Sequence, residues 1–264
     1  MQVKKVPAAT GWRWVVEGFT ALTRSPGVML ATGALLLFTL LMTSAFPLPV
    51  IGPIIPLILT PALGFGFVQV TREVMAGRKP SPFVLFSGLG PKAAGVRREM
   101  LVLGGVNAVA TLLAVALTHL VDDGRWAGFL TGARTIEAGT EIGAETIEAA
   151  IVFFAFYAPF QAAFWFAPLF VGLHRTSGLQ SVFFSTVSVW RNKGALLVYF
   201  AGWFAVALGW SLLVRLITQA LTPTTASIVM IPGLLVLMVA LYGSFWATYR
   251  DIVDPPVAEG ITRL

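Results

Sequence analysis

Cysteine is absent from the 264-residue chain. That excludes a disulfide framework, a thiolate metal site and a cysteine nucleophile. Histidine occurs only at His119 and His174, far apart in sequence, which leaves no basis for a histidine-rich metal site. Charge is scarce as well. Asp, Glu, Lys and Arg make up 11% of the residues, against about 25% in soluble domains. So few charges cannot build a water-exposed surface around a core of this size, so a soluble enzyme, a secreted scaffold and a disordered protein are excluded. What is abundant is apolar: 57% of residues are hydrophobic and the mean hydropathy is +0.83. The solvent of this chain is a lipid bilayer.

A helix crosses the hydrocarbon core with about 20 mostly apolar residues. Six runs qualify: Gly27 to Ala45, Ile51 to Val70, Glu99 to Leu120, Ile147 to Leu173, Ala195 to Gln219 and Ser227 to Tyr249. Pro53, Pro56 and Pro61 interrupt the second. We read it as a kinked packing helix entered through a Pro-rich turn, with a re-entrant segment as the alternative. The residues before the first run include Trp12, Trp14 and Phe19, which does not fit a signal peptide.

With six crossings, both ends lie on one side. Fifteen of the 18 Lys and Arg residues fall there, and the exceptions are Arg125, Arg134 and Arg215. The positive-inside rule puts that side, and both termini, in the cytoplasm. The segment 121–146 becomes a periplasmic loop carrying Asp122, Asp123, Glu137, Glu141 and Glu145, and 251–264 a short cytoplasmic tail.

Helical spacing continues outside the spans. Trp12, Val15, Val16, Phe19 and Leu22 share one face of a helix, with Arg13, Glu17, Thr20 and Arg24 on the other. Leu179, Val182, Phe183, Val187 and Trp190 repeat the design, opposite Ser181, Ser185 and Ser188. A shorter apolar segment, Phe83 to Phe86, precedes the third span. Such helices lie in the interface plane, anchored here by Trp12, Trp14, Phe19, Phe183 and Trp190. The fold expected is all-α: a polytopic membrane protein of six transmembrane helices arranged as three hairpins, each preceded by a cytoplasmic interfacial amphipathic helix. It forms a single integral membrane domain over 1–264, with pseudo-repeat units 8–75, 80–173 and 176–250.

Three stretches, KVPAATGWRWVVEGFTALTRSPG, PLPVIGPIIPLILTPALGFGF and WFAPLFVGLHRTSGLQSVFFSTVSVWRNKGALLVY, carry a resemblance. In order and spacing the chain resembles a family of uncharacterised six-span inner-membrane proteins common in betaproteobacteria. The resemblance covers about a third of the chain. It implies the same fold and a bacterial inner (cytoplasmic) membrane, and it brings no activity and no functional residues. The loop from Asp122 to Glu148 looks longer than such proteins usually have.

Chemistry has few carriers. Gly64-Phe65-Gly66 lacks the strand and lysine of a phosphate loop. Intramembrane polar residues are the default functional candidates. Asn107 and Gln161 fall near the middle of spans three and four, at similar depth, where a hydrogen bond across the hairpin is expected. Arg215 sits near the outer end of span five. It either snorkels outward or pairs with an acid, Glu148 first and Asp122 or Asp123 as alternatives. Glu137, Glu141, Glu145 and Glu148 mark one anionic helical face, solvated by default.

No catalytic constellation and no cofactor are expected. The expected function is non-enzymatic: an accessory, scaffold or lipid-organising subunit of the inner membrane, with a transporter or channel for a small or amphipathic solute as the alternative. The expected partners are membrane lipids, through anionic headgroups on the cytoplasmic side, and a membrane protein or a second copy of the chain. Nucleic acid is not among them.

Overall fold

The structure, a computed structural model, describes residues 2–46, 51–131, 143–220 and 223–253. The prolines at 47 and 49, the glutamates at 137 and 141 and the tail from 254 onward lie outside the described residues. Ten α-helices are present among those described: α1 (Thr10–Arg24), α2 (Pro26–Ser44), α3 (Ile51–Met75), α4 (Ala94–Asp122), α5 (Arg125–Thr131), α6 (Ala144–Phe164), α7 (Ala167–His174), α8 (Gly178–Arg191), α9 (Lys193–Ala220) and α10 (Pro223–Ile252). Six segments are long and apolar enough to cross a membrane: Pro26–Ser44, Gly52–Met75, Ala94–Asp122, Ala144–His174, Lys193–Gln219 and Met230–Ile252. They coincide with the six apolar runs of the sequence. The chain is an all-α, multi-pass membrane protein.

The proline-rich second span is one helix, not a re-entrant loop. Pro53 falls in the first turn of α3, where a backbone N–H has no intrahelical partner in any case. Pro56 and Pro61 lie inside the helix, and each frees the carbonyl four residues earlier. For Pro61 that carbonyl belongs to Leu57, and a side chain of α4 caps it.

The fourth span, expected as one helix, is broken at Trp165 and Phe166 into α6 and α7. Pro168 is the cause, since its ring cannot follow the carbonyl of Phe164. The freed N–H of Phe166 is not lost: it donates to Ser185 Oγ on α8 at 2.9 Å. The apolar segment before the third span also differs from expectation. Pro82–Leu89 is a 3-10 helix tucked against α3 and α2, with Leu85 fully buried. Gly66 permits this approach, because a Cβ there would collide with the Leu85 carbonyl.

Packing is organised by α3 and α10. The α3 helix touches α2, α4, α10 and the 3-10 segment; α10 touches α1, α2 and α9. One core cluster gathers Trp14, Phe65, Phe166, Phe170, Tyr199 and Tyr249. The other gathers Leu36, Leu63, Phe67, Leu85 and Val239. At one end of the bundle α1 lies across α9 and α10, and the N-terminal segment is strapped to the body. Lys4 N–H donates to the Ile252 carbonyl at 2.8 Å, and Val6 N–H to Asn192 Oδ1 at 2.9 Å. Asn192 Nδ2 returns a bond to the Lys4 carbonyl at 2.9 Å.

Candidate functional site

Asn107 and Gln161 meet as the sequence led us to expect. Gln161 Nε2 donates to Asn107 Oδ1 at 3.2 Å, linking α6 to α4. Asn107 is buried, and its Nδ2 donates to the Leu57 carbonyl at 3.0 Å. Pro61 left that carbonyl without its intrahelical donor, so one amide ties three spanning segments together and repairs a proline defect. Gly104, one turn before Asn107, lets α4 come this close: a Cβ there would strike the Ile58 carbonyl. Beside the pair lies a cavity of about 170 Å³, walled mostly by apolar groups such as Phe65, Val68, Phe164, Leu169 and Phe245. The arrangement offers hydrogen bonds at membrane depth and no acid–base pair.

Arg215 and Glu148 are not brought together. Both are exposed, and α6 packs on α4 and α8 while α9 packs mainly on α1. Asp122, weighed as another partner, is buried and spends its carboxylate at the start of α5. It accepts the Gly124 N–H at 3.1 Å and the Trp126 N–H at 2.6 Å. The ion pair at this end joins Arg125 to Glu145 at 3.2 Å with both side chains at least half exposed, a geometry worth about 0–1 kcal/mol.

The opposite end holds a network that sequence reasoning missed. Asp251 accepts from Arg13 at 2.6 Å, from the Trp14 indole N–H at 2.9 Å and from Arg250 Nε at 3.0 Å. Arg250 also donates to Glu17 at 3.0 Å. Two α1 donors on the Asp251 carboxylate, with the Arg250–Glu17 bond beside them, fasten α1 to the end of α10. Glu17 and Arg13 were visible as a polar helix face, but nothing local to the sequence aims that face at position 251.

The five expected interfacial anchors divide. Trp12, Phe183 and Trp190 are exposed, at 53%, 63% and 72%. Phe19 is half-buried and stacks on Trp203 of α9 with ring centroids 5.7 Å apart. Trp14 is a correction: it is fully buried, edge-on to Tyr199, and belongs to the core. The face of α1 that meets the protein is Gly11, Trp14, Val15, Gly18, Ala21 and Leu22, where a Cβ on either glycine would collide with a backbone carbonyl of α9 or α10. Trp14 is on that face because its N–H needs an acceptor and Asp251 supplies one. Small residues recurring at helical spacing are a packing signal, and they would have located this face.

The α8 helix inverts the ordinary arrangement. Its polar face is the buried one: Gly178, Ser181, Ser185 and Ser188 are packed into the body, and the three serines are fully buried. Ser181 and Ser188 satisfy their hydroxyls on backbone carbonyls of α8 itself, and Ser185 holds Phe166. Leu179, Phe183 and Trp190 point outward, and the Lys193 ammonium lies 4.7 Å over the Trp190 ring.

A probable inner membrane protein of Burkholderia thailandensis is 35% identical to this chain over 258 residues, covering 95% of this chain and 93% of its own length. No family model matches the chain, and no solved structure matches it.

Proposed function

Since the chain belongs to the family of that Burkholderia inner membrane protein, we propose that it works by association and not by catalysis, as an accessory, scaffold or lipid-organising subunit. The observation that carries this reading is α8. Its small serine face is buried against the body and Ser185 accepts the Phe166 N–H, so the aromatic face is held outward. In the bilayer interface such a face orders lipid or meets another apolar surface. Four buried positions of α1, Gly11, Trp14, Gly18 and Ala21, share the spacing of the buried face of α8, Gly178, Ser181, Ser185 and Ser188, while α1 buries Val15 and Leu22 as well. This supports the reading of the chain as repeated units of surface helix and hairpin, with pseudo-repeat bounds 8–75, 80–173 and 176–250. Transport of a small or amphipathic solute is a second reading, favoured by the cavity beside Asn107 and Gln161.

Phe183→Asp combined with Trp190→Asp tests the association. The buried serine face is untouched, so α8 stays docked, while lipid co-purifying in mild detergent falls. Protease access to α8 from the α1 side rises in intact vesicles. Unchanged lipid content and unchanged protection would sink the reading. Orientation has its own test. By the positive-inside rule, the excess of Lys and Arg favours a cytoplasmic side for both termini. A reporter active only in the periplasm then works when fused after Thr131 and fails after Lys79 or at the C-terminus. Activity of the C-terminal fusion would reverse the topology.

A further inference from the structure

A cavity of about 430 Å³ opens between the end of α3, the 3-10 segment, the start of α4 and the end of α7. Its size lies within the ~300–1,000 Å³ range of small-molecule sites. Three residues that line it each hold a buried polar atom with no hydrogen-bond partner: Gln69 Oε1, Ser87 Oγ and Thr176 Oγ1. Gln69 as a residue is only 5% exposed. Buried polar groups are nearly always paired, because an unpaired one is destabilising. Three on one cavity point to a partner that the protein itself does not supply.

Two opposite charges line the same space. Glu99 uses Oε2 to accept the Gly178 N–H at 2.8 Å, which fixes its carboxylate and leaves Oε1 available. Arg175 is exposed at the end of α7 and forms no ion pair among the described residues. Ala94, Gly95 and Val96, the first turn of α4, complete the wall, and no side chain caps that helix start. The helix dipole there favours an anion. The cavity therefore offers acceptors for a cation and donors for an anion together.

We infer that this cavity binds the zwitterionic headgroup of an amino-phospholipid, with its ammonium on Glu99 and Gln69 Oε1 and its phosphate against Arg175, the Ser87 and Thr176 hydroxyls and the first turn of α4. Depth favours a lipid over a soluble amino-phosphate. Gln69 belongs to a spanning helix, within its last two turns. One turn deeper, Phe65 lines the cavity, and it also lines the apolar cavity beside Asn107, so the inner end of the site is apolar. Gly172 gives the Phe65 ring its room, since a Cβ there would collide with it. The inference rests on the lipid-associating reading above and adds the headgroup class.

The test is native mass spectrometry of the full-length protein in mild detergent. The probes are phosphatidylethanolamine, phosphatidylcholine and phosphatidylglycerol of identical acyl chains, and free phosphoethanolamine. Phosphatidylethanolamine should be retained about ten-fold over the other two lipids, the scale of one charge-assisted hydrogen bond. The choline headgroup has no N–H to donate, and the glycerol headgroup has no cation. Glu99→Gln and Gln69→Leu should each reduce the preference several-fold. Gln69→Leu removes an unpartnered amide, so folding and thermal stability are maintained even where Glu99→Gln disturbs the start of α8. Equal retention of the three lipids by the wild type would overturn the headgroup site and leave the lipid-associating reading standing. Free phosphoethanolamine competing at the affinity of the lipid would overturn the lipid as occupant. An undiminished preference in Gln69→Leu would place recognition elsewhere. Retention of no phospholipid at all would overturn both readings.

Discussion

Asp251→Ala should lower stability by about 3 kcal/mol, the low end of the range for breaking a buried ion pair. The carboxylate is 14% exposed and accepts from Arg13, Trp14 and Arg250 at once. Its removal leaves the buried indole N–H of Trp14 without an acceptor and Arg250 with only Glu17. Arg13 is 60% exposed, so Arg13→Ala removes a solvated partner and should cost about 0–1 kcal/mol. Asp251→Asn should fall between the two, since the amide oxygen still accepts from Trp14 while the charge is gone. Thermal unfolding of the three variants in detergent, followed by Trp fluorescence, measures the order. Equal losses for Asp251→Ala and Arg13→Ala would show that α1 is held by apolar packing alone. Because α1 covers α9 and α10, its release should also expose Trp14 to quenchers.

Asn107→Ala should cost about 1–3 kcal/mol, the penalty for leaving a buried acceptor unpaired. The acceptor at stake is the Leu57 carbonyl, and Pro61 created its deficit. In a Pro61→Ala background residue 61 regains an N–H, α3 closes its own hydrogen bond, and Asn107→Ala should cost less than half as much. Gln161→Leu removes the other partner of Asn107 and should show no such dependence on Pro61. The measurement is the thermal stability of the four-member cycle for Asn107 and Pro61. Additive losses would mean that Asn107 serves the cavity and not the helix.

The spans were legible in the sequence because they depend on one property, apolar content sustained over the thickness of a bilayer, and composition alone decides that. Depth was legible too. Asn107 and Gln161 lie at similar distances from the turn that joins their spans, so their meeting could be expected from counting residues along two helices. The break at Pro168 was open to the same reasoning as the prolines inside α3, since one missing N–H acts locally.

The sequence alone determined the properties of single helices: six spans, the prolines within α3 and the existence of helices α1 and α8. Only the tertiary structure decided which side of each helix meets protein. Hydrophobic periodicity finds an apolar face, but beside a membrane that face has two apolar solvents, lipid and the protein interior, and they cost nearly the same to enter. Tertiary packing resolved this in opposite ways. Trp14 faces inward, where Asp251 accepts its N–H, whereas Phe183 and Trp190 face outward because the small serine face of α8 packs on the body and Ser185 accepts the Phe166 N–H. The same holds for charge. Arg215 and Glu148 were expected at one depth but stand on helices that are not packed together, and only the order of helices around the bundle sets that distance.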